Sequence, residues 1–126
     1  MNVLLVALGG ASGAVARYAV NLFAIQQFGT GFPVATLLVN IVGSFFMGVI
    51  TGLVALGWNI SPRAQLFLMT GLLGGFTTFS AFSIDVLALH ERGEIVSSLV
   101  YVIISVMLSI AAAFLGIVLV RRVLFG

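Results

Sequence analysis

The sequence predicts an all-α membrane protein of four transmembrane helices, with the third helix broken at mid-membrane. Three observations carry this expectation. First, 62% of the 126 residues are hydrophobic and only 6% are charged, against about 25% charged in a soluble domain. No soluble fold of this size hides so much apolar surface, so the solvent is a lipid bilayer. Second, the apolar residues fall into four stretches of about the 20 residues that a bilayer crossing needs. Third, one stretch contains Gly74-Gly75-Phe76-Thr77-Thr78-Phe79-Ser80-Ala81-Phe82-Ser83. Paired glycines weaken a helix by roughly 1 kcal/mol each relative to alanine, and hydroxyls at bilayer depth need partners. A break at that depth is tolerated only where it is buried in protein or lines a water-filled cavity. The segment is therefore a candidate ion site.

The first span is expected at residues 3–25, closed by Gln26-Gln27 and the turn-rich Gly29-Thr30-Gly31-Phe32-Pro33. It lacks a basic leader and a processing site, so it reads as a retained span rather than a signal peptide. The second covers residues 34–56 and closes at Gly57-Trp58-Asn59, with Trp58 suited to the interfacial aromatic belt. Ser61-Pro62 reads as an N-cap followed by proline at the first helical position. The third span covers residues 63–89 and the fourth residues 95–120, joined by His90-Glu91-Arg92-Gly93-Glu94. No linker or low-complexity tract divides this one four-helix unit, residues 1–126.

Four spans put both termini on one side of the membrane. Arg63, Arg121 and Arg122 share that side, and Arg92 lies on the other. This weak positive-inside bias leaves insertion in both orientations open. Glycines recur at four-residue spacing: Gly9 and Gly13, Gly48 and Gly52, Gly71 and Gly75. Such spacing lets helix backbones approach closely, either within one bundle or, the favoured reading, at a dimer interface. Four helices alone are too few to enclose a pore and shield every polar group.

Several polar residues stand where hydrocarbon is expected. Arg17 lies midway along the first span, at a cost of about 3 kcal/mol on insertion scales. It either snorkels to the interface with help from Asn21 or supplies a fixed positive charge in a vestibule. Asn40 has Thr36 one turn before it and Ser44 one turn after. Its amide is either interhelical glue or a donor that replaces water around an anion. Tyr101, Ser105 and Ser109 share one helix face. They form a hydrated track unless the serines bond back to their own i−4 carbonyls. Phe79 and Phe82 also share a face. They are packing residues or, through their positive ring edges, a weak anion site without a full charge. Asp85 is a candidate proton carrier or the partner of an arginine at the membrane edge. Gly74 is expected in irregular backbone, which would make valine there severe. There is no cysteine, metal-ligand cluster or nucleophile–base pair. Gly9-Gly10-Ala11-Ser12-Gly13 has no strand before it and no lysine after it. A formal charge of +2 is too small for a nucleic-acid binder. Neither enzyme nor nucleic-acid partner is expected.

Three motifs together resemble the Fluc (CrcB-type) fluoride channels across all four spans. They are Gly9-Gly10-x-x-Gly13-x-x-x-Arg17, Leu38-Val39-Asn40 and, above all, Thr70-Gly71-x-x-Gly74-Gly75-Phe76-Thr77-Thr78-Phe79-Ser80-x-Phe82-Ser83. The resemblance implies an antiparallel, dual-topology homodimer in a prokaryotic cell membrane, with two fluoride pores at the subunit interface. It implies that Phe79 and Phe82 turn ring edges to the ion and that Asn40 lies in the pore wall. Tyr101, Ser105 and Ser109 would form its polar track, and Arg17 would sit near a vestibule. It further implies a structural sodium ion on the dimer axis, held by backbone carbonyls of Gly74 and Thr77 from both subunits. A broken helix does free carbonyls that suit a hard cation. The function implied is passive export of cytoplasmic fluoride, which lowers its toxicity. The chain departs from the family pattern at Ala81, where a hydroxyl residue is common, and at Asp85, where glutamate is usual.

Two other functions compete. A small dual-topology, proton-coupled drug exporter needs an acidic residue in the first span, and this chain has none there. A non-transporting assembly subunit explains the glycine spacing but neither the Phe–Ser–Phe break nor the polar ladder. Pairing with a second, oppositely oriented paralogue instead of an identical copy also stays open.

Overall fold

The computed structural model describes residues 1–126 as helices joined by short turns. Helix α1 spans Asn2–Phe28 and α2 spans Val34–Ala55. The third span is composite. It comprises α3 (Pro62–Gln65), a π-helical segment (Leu66–Leu73), α4 (Gly74–Phe76) and α5 (Ser80–Glu91). Helix α6, Ile95–Phe125, completes the chain. Counting residues 62–91 as one crossing, four helices are long and apolar enough to span a membrane. Only 16 of 126 residues are buried. Apolar side chains cover the outside, an arrangement stable only where the surroundings are also apolar.

Local chemistry sets the ends. Ser61 Oγ accepts from the Ala64 N–H at 3.1 Å, and Pro62 opens α3. Helix α1 runs past Ile25 through both glutamines, which are good helix formers. It stops at Gly29, whose φ of 74° only glycine adopts freely. The third span continues through His90 and Glu91, so the last turn comes at Arg92, Gly93 and Glu94. Helix α6 carries Arg121 and Arg122 inside its final turns, where cations favour the helix dipole. The exposed Arg92 donates to Gly31 O at 2.7 Å and pairs with Glu94 at 2.9 Å, tying the two turns at that end together.

The glycine spacing serves packing within the chain. A Cβ on Gly9 would lie 2.5 Å from Phe67 O and 2.9 Å from Leu72 N, and one on Gly13 would strike Leu72 O. Gly71 and Gly75 approach Gly9 and Gly10 in return. On the other side, Gly48 meets the backbone of Ala113, and Gly116 meets Phe45 and Gly48. These faces are spent joining α1 to the third span and α2 to α6, so the dimer reading of the spacing gives way to the bundle reading. The main apolar core, Phe82, Leu89 and Tyr101, sits where α5 meets α6.

Gly74 also differs from expectation. Its φ of −63° and ψ of −36° are ordinary helix, and a Cβ there would come no closer than 3.4 Å to Met69 O. The irregular residue is Thr77, extended at ψ 157°. Gly75 carries the steric constraint instead, because a Cβ would lie 2.6 Å from Gly10 O. Gly75→Ala should therefore lose about 1–3 kcal/mol, the usual cost of overpacking, while Gly74→Ala should be near neutral. Denaturant unfolding of the two variants in detergent checks the contrast. Equal losses would show that close approach to α1 does not set the stability of this span.

Candidate functional site

The site is organised by the stretch between α4 and α5. Asn40, on α2, holds Thr78 from both sides. Its Nδ2 donates to Thr78 O at 3.0 Å, and its Oδ1 accepts from the Thr78 N–H at 2.8 Å. In an unbroken helix that N–H would bond Gly74 O. Likewise the Ala81 N–H, the helical partner of Thr77 O, goes to Thr78 Oγ1 at 3.1 Å. Arg17 Nε donates to Gly75 O at 3.2 Å. Three polar side chains thus replace the ladder that the interruption removes, and the carbonyls of Gly74 and Thr77 lose their helical donors. Unpaired carbonyls are the chemistry a hard cation takes.

Beside this stretch lies an open groove of about 480 Å³. Asn40 and Ser44 line it from α2. Gly74, Thr77, Thr78, Phe79 and Phe82 line it from the third span, and Ser105, Val106, Ser109 and Ile110 from α6. No charged side chain contributes. The Phe79 and Phe82 rings are 5.5 Å apart and tilted by 52°. Phe79 is 78% exposed, whereas Phe82 is buried and packs on Tyr101 at 5.2 Å.

The serines of α6 stand apart from the other hydroxyls of the spans. Ser12, Thr77 and Ser83 each bond back to the carbonyl four residues earlier, at 2.8–3.0 Å. Ser105 Oγ and Ser109 Oγ are buried and have no hydrogen-bond partner. A buried polar atom left unmatched costs about 1–3 kcal/mol. The two sit on adjacent turns, on residues that line the groove, with their donor and acceptor capacity unused.

The structure brings Asn40, Phe79, Phe82, Ser105, Ser109, Gly74 and Thr77 together around this groove. Two candidates lie elsewhere. Tyr101 is fully buried, and its hydroxyl donates to Asp85 Oδ2 at 3.0 Å. The phenol is spent there, and Asp85 has no arginine partner. Arg17 lines a separate cavity of about 390 Å³ with Asn21, Thr36, Thr78 and Asp85. It neither reaches the groove nor bonds Asn21. Ser44 also lines the groove, and its place one turn beyond Asn40 on α2 is the sequence signal for it.

A family model described as CrcB-like protein, Camphor Resistance (CrcB), matches residues 4–117. The chain is 49% identical over 122 residues to the fluoride-specific ion channel FluC 2 of Nitrobacter hamburgensis, covering 97% of this chain and 98% of that one. It is 50% identical over 122 residues to the fluoride-specific ion channel FluC of Agrobacterium fabrum, with the same coverage. A FluC of Rhodospirillum centenum is 50% identical over 119 residues, 94% of each chain.

Removing the Asn40 amide leaves a donor and an acceptor of Thr78 unmatched. Asn40→Ala should lower stability by about 2–6 kcal/mol, from two unsatisfied groups of about 1–3 kcal/mol each. Hydrogen exchange at Thr78 should rise with it. An alanine variant with an unchanged melting temperature and a protected Thr78 amide would show that other contacts hold the interruption.

Proposed function

The chain belongs to the CrcB-like protein family, and from that membership we propose that it is a fluoride-selective channel that passively exports cytoplasmic fluoride. It is a multi-pass protein of a prokaryotic cell membrane. The observation that carries the reading is the pair of unpartnered buried hydroxyls of Ser105 and Ser109, two residues that line a groove with no charged side chain. A small, strongly hydrated anion crosses only where donors replace its water. Two serine hydroxyls supply such donors, with the positive edge of Phe79 beside them. The remaining N–H of Asn40 adds a third donor. Binding by neutral donors stays weak enough for the ion to leave, as conduction requires.

No energy-coupling group is needed. Hydrogen fluoride, a weak acid, crosses lipid and dissociates inside, and the membrane potential drives the anion out. The proton-coupled exporter gains no support, because Asp85 is already engaged by Tyr101.

The groove is incomplete as a pore. It is open along one flank, with Phe79 on its rim. Lipid on that flank would face hydroxyls with hydrocarbon, which is costly. A second copy in the opposite orientation closes it, and the weak arginine bias permits both orientations. In that dimer the interruption of the third span lies at mid-membrane. The Gly74 and Thr77 carbonyls, freed in each copy, would together hold a sodium ion near the axis. Two carbonyls from one chain are too few for a hard cation; two copies supply four oxygens. The ion would neutralise converging carbonyl dipoles and fix the two interruptions against each other, outside the fluoride path.

Ser105 and Ser109 bond nothing in the protein, so replacing both by alanine should leave the fold intact. Fluoride efflux from liposomes should nevertheless fall by on the order of tenfold or more, equivalent to about 1.4 kcal/mol in the barrier. Wild-type chloride efflux should be far slower than fluoride efflux. Equal rates for the two anions would overturn the assignment.

The cation is structural in this reading. Replacing external and internal sodium by a large organic cation should lower dimer stability, while sodium itself should not cross. Tracer sodium moving with fluoride in fixed proportion would make the protein a symporter instead.

A further inference from the structure

An acid inside a membrane span is costly and is retained where it has a partner. Asp85 is such an acid, on α5 and three residues past Phe82. It lines two cavities, of about 180 Å³ and 390 Å³, together with Asn21 and Thr36. Arg92 lines the first and Arg17 the second, but neither comes within ion-pair distance of the carboxylate. The side-chain partner of Asp85 is the Tyr101 hydroxyl, which donates to Oδ2 at 3.0 Å. A hydrogen bond to a carboxylate is among the stronger ones. Tyr101 is completely buried. A phenylalanine would fill the same space with no acid beside it, so packing alone does not account for the pair.

Tyr101 joins that carboxylate to the groove. Its ring lies 5.2 Å from the Phe82 ring, tilted by 45°. It also meets Phe32 edge-on at 5.5 Å and 86°. Phe82 lines the groove and lies 5.5 Å from Phe79, whereas Tyr101 does not line it. A ring held at its hydroxyl cannot tilt or slide without breaking the bond. The hydrogen bond therefore fixes the surface on which Phe82 packs. Orientation matters for Phe82, because an aromatic ring is positive at its edge and negative on its face.

We propose that Tyr101 and Asp85 are positioning residues: the hydrogen bond between them sets the orientation of the Phe82 ring at the groove, with neither residue touching the ion. This role presupposes that the groove conducts fluoride.

Fluoride and chloride efflux are measured from liposomes containing wild type, Y101F, D85A, D85N or Y101F/D85A, with rates expressed per folded protein. Y101F keeps the ring and loses the bond. D85A removes the acceptor, whereas D85N retains a carbonyl oxygen that accepts from the hydroxyl. Y101F and D85A should each slow fluoride efflux several-fold. Y101F/D85A should be no slower than the slower single variant, because both substitutions break one bond. D85N should stay near the wild-type rate. Y101F at the wild-type rate would overturn the positioning role. So would losses that multiply in Y101F/D85A, since the two residues would then act separately. D85N as slow as D85A would overturn it too, by assigning Asp85 to the cavities through its charge. If D85A does not fold, the contrast between Y101F and D85N still decides. Wild-type protein that moves chloride as fast as fluoride would instead sink the channel reading itself, before any variant is compared.

Discussion

The reciprocal pairing of the Asn40 side chain with the backbone of Thr78 is the constraint on which the rest of this structure depends. A transmembrane helix satisfies its own backbone, and breaking it exposes groups that hydrocarbon cannot match. Here one amide supplies both a donor and an acceptor to the residue inside the interruption. Thr78 then caps the helix that follows through its hydroxyl, and Arg17 takes a carbonyl of the helix that precedes. With those bonds in place the chain can turn at Thr77 and restart at Ser80. That restart sets Phe79 on the rim of the groove and Phe82 against Tyr101. Two hydrogen bonds of Asn40 thus hold the backbone, and one N–H of its amide remains.

The distribution of hydroxyl partners gives the groove its character. Ser12, Thr77 and Ser83 satisfy themselves on their own helix turn. Ser105 and Ser109 forgo that option and stay unpaired inside a largely apolar environment. The protein bears this cost on one face only. Charge is kept off the same face: Arg17 binds a carbonyl, Asp85 receives the Tyr101 hydroxyl, and the Arg92–Glu94 pair lies at the bundle end. The groove is thus lined by neutral side chains, with the charged groups of the spans bonded outside it.

Close backbone approach makes this possible in so short a chain. Gly9 and Gly13 let α1 lie directly on the third span, which brings Arg17 within reach of Gly75 O. Gly48 and Gly116 do the same for α2 and α6, and so draw Asn40, Ser44, Ser105 and Ser109 around one space. A methyl group at any of these four positions would separate the elements that build the site.

Composition and local pattern determined the membrane setting and the four helices, because these follow from hydrophobicity, helix propensity and turn chemistry over short windows. The shared faces of Asn40 with Ser44 and of Ser105 with Ser109 were legible too, since helical periodicity fixes them. Tertiary structure alone decided the partners. Asn40 and Thr78 are 38 residues apart, and Tyr101 and Asp85 are 16 apart on different helices. The glycine spacing announced close packing but not against what, so only the assembled bundle turned it inward. Gly74 looked like the irregular residue because glycine permits any conformation. The backbone placed the irregularity at Thr77, where the bonds from Asn40 and Thr78 hold the chain extended.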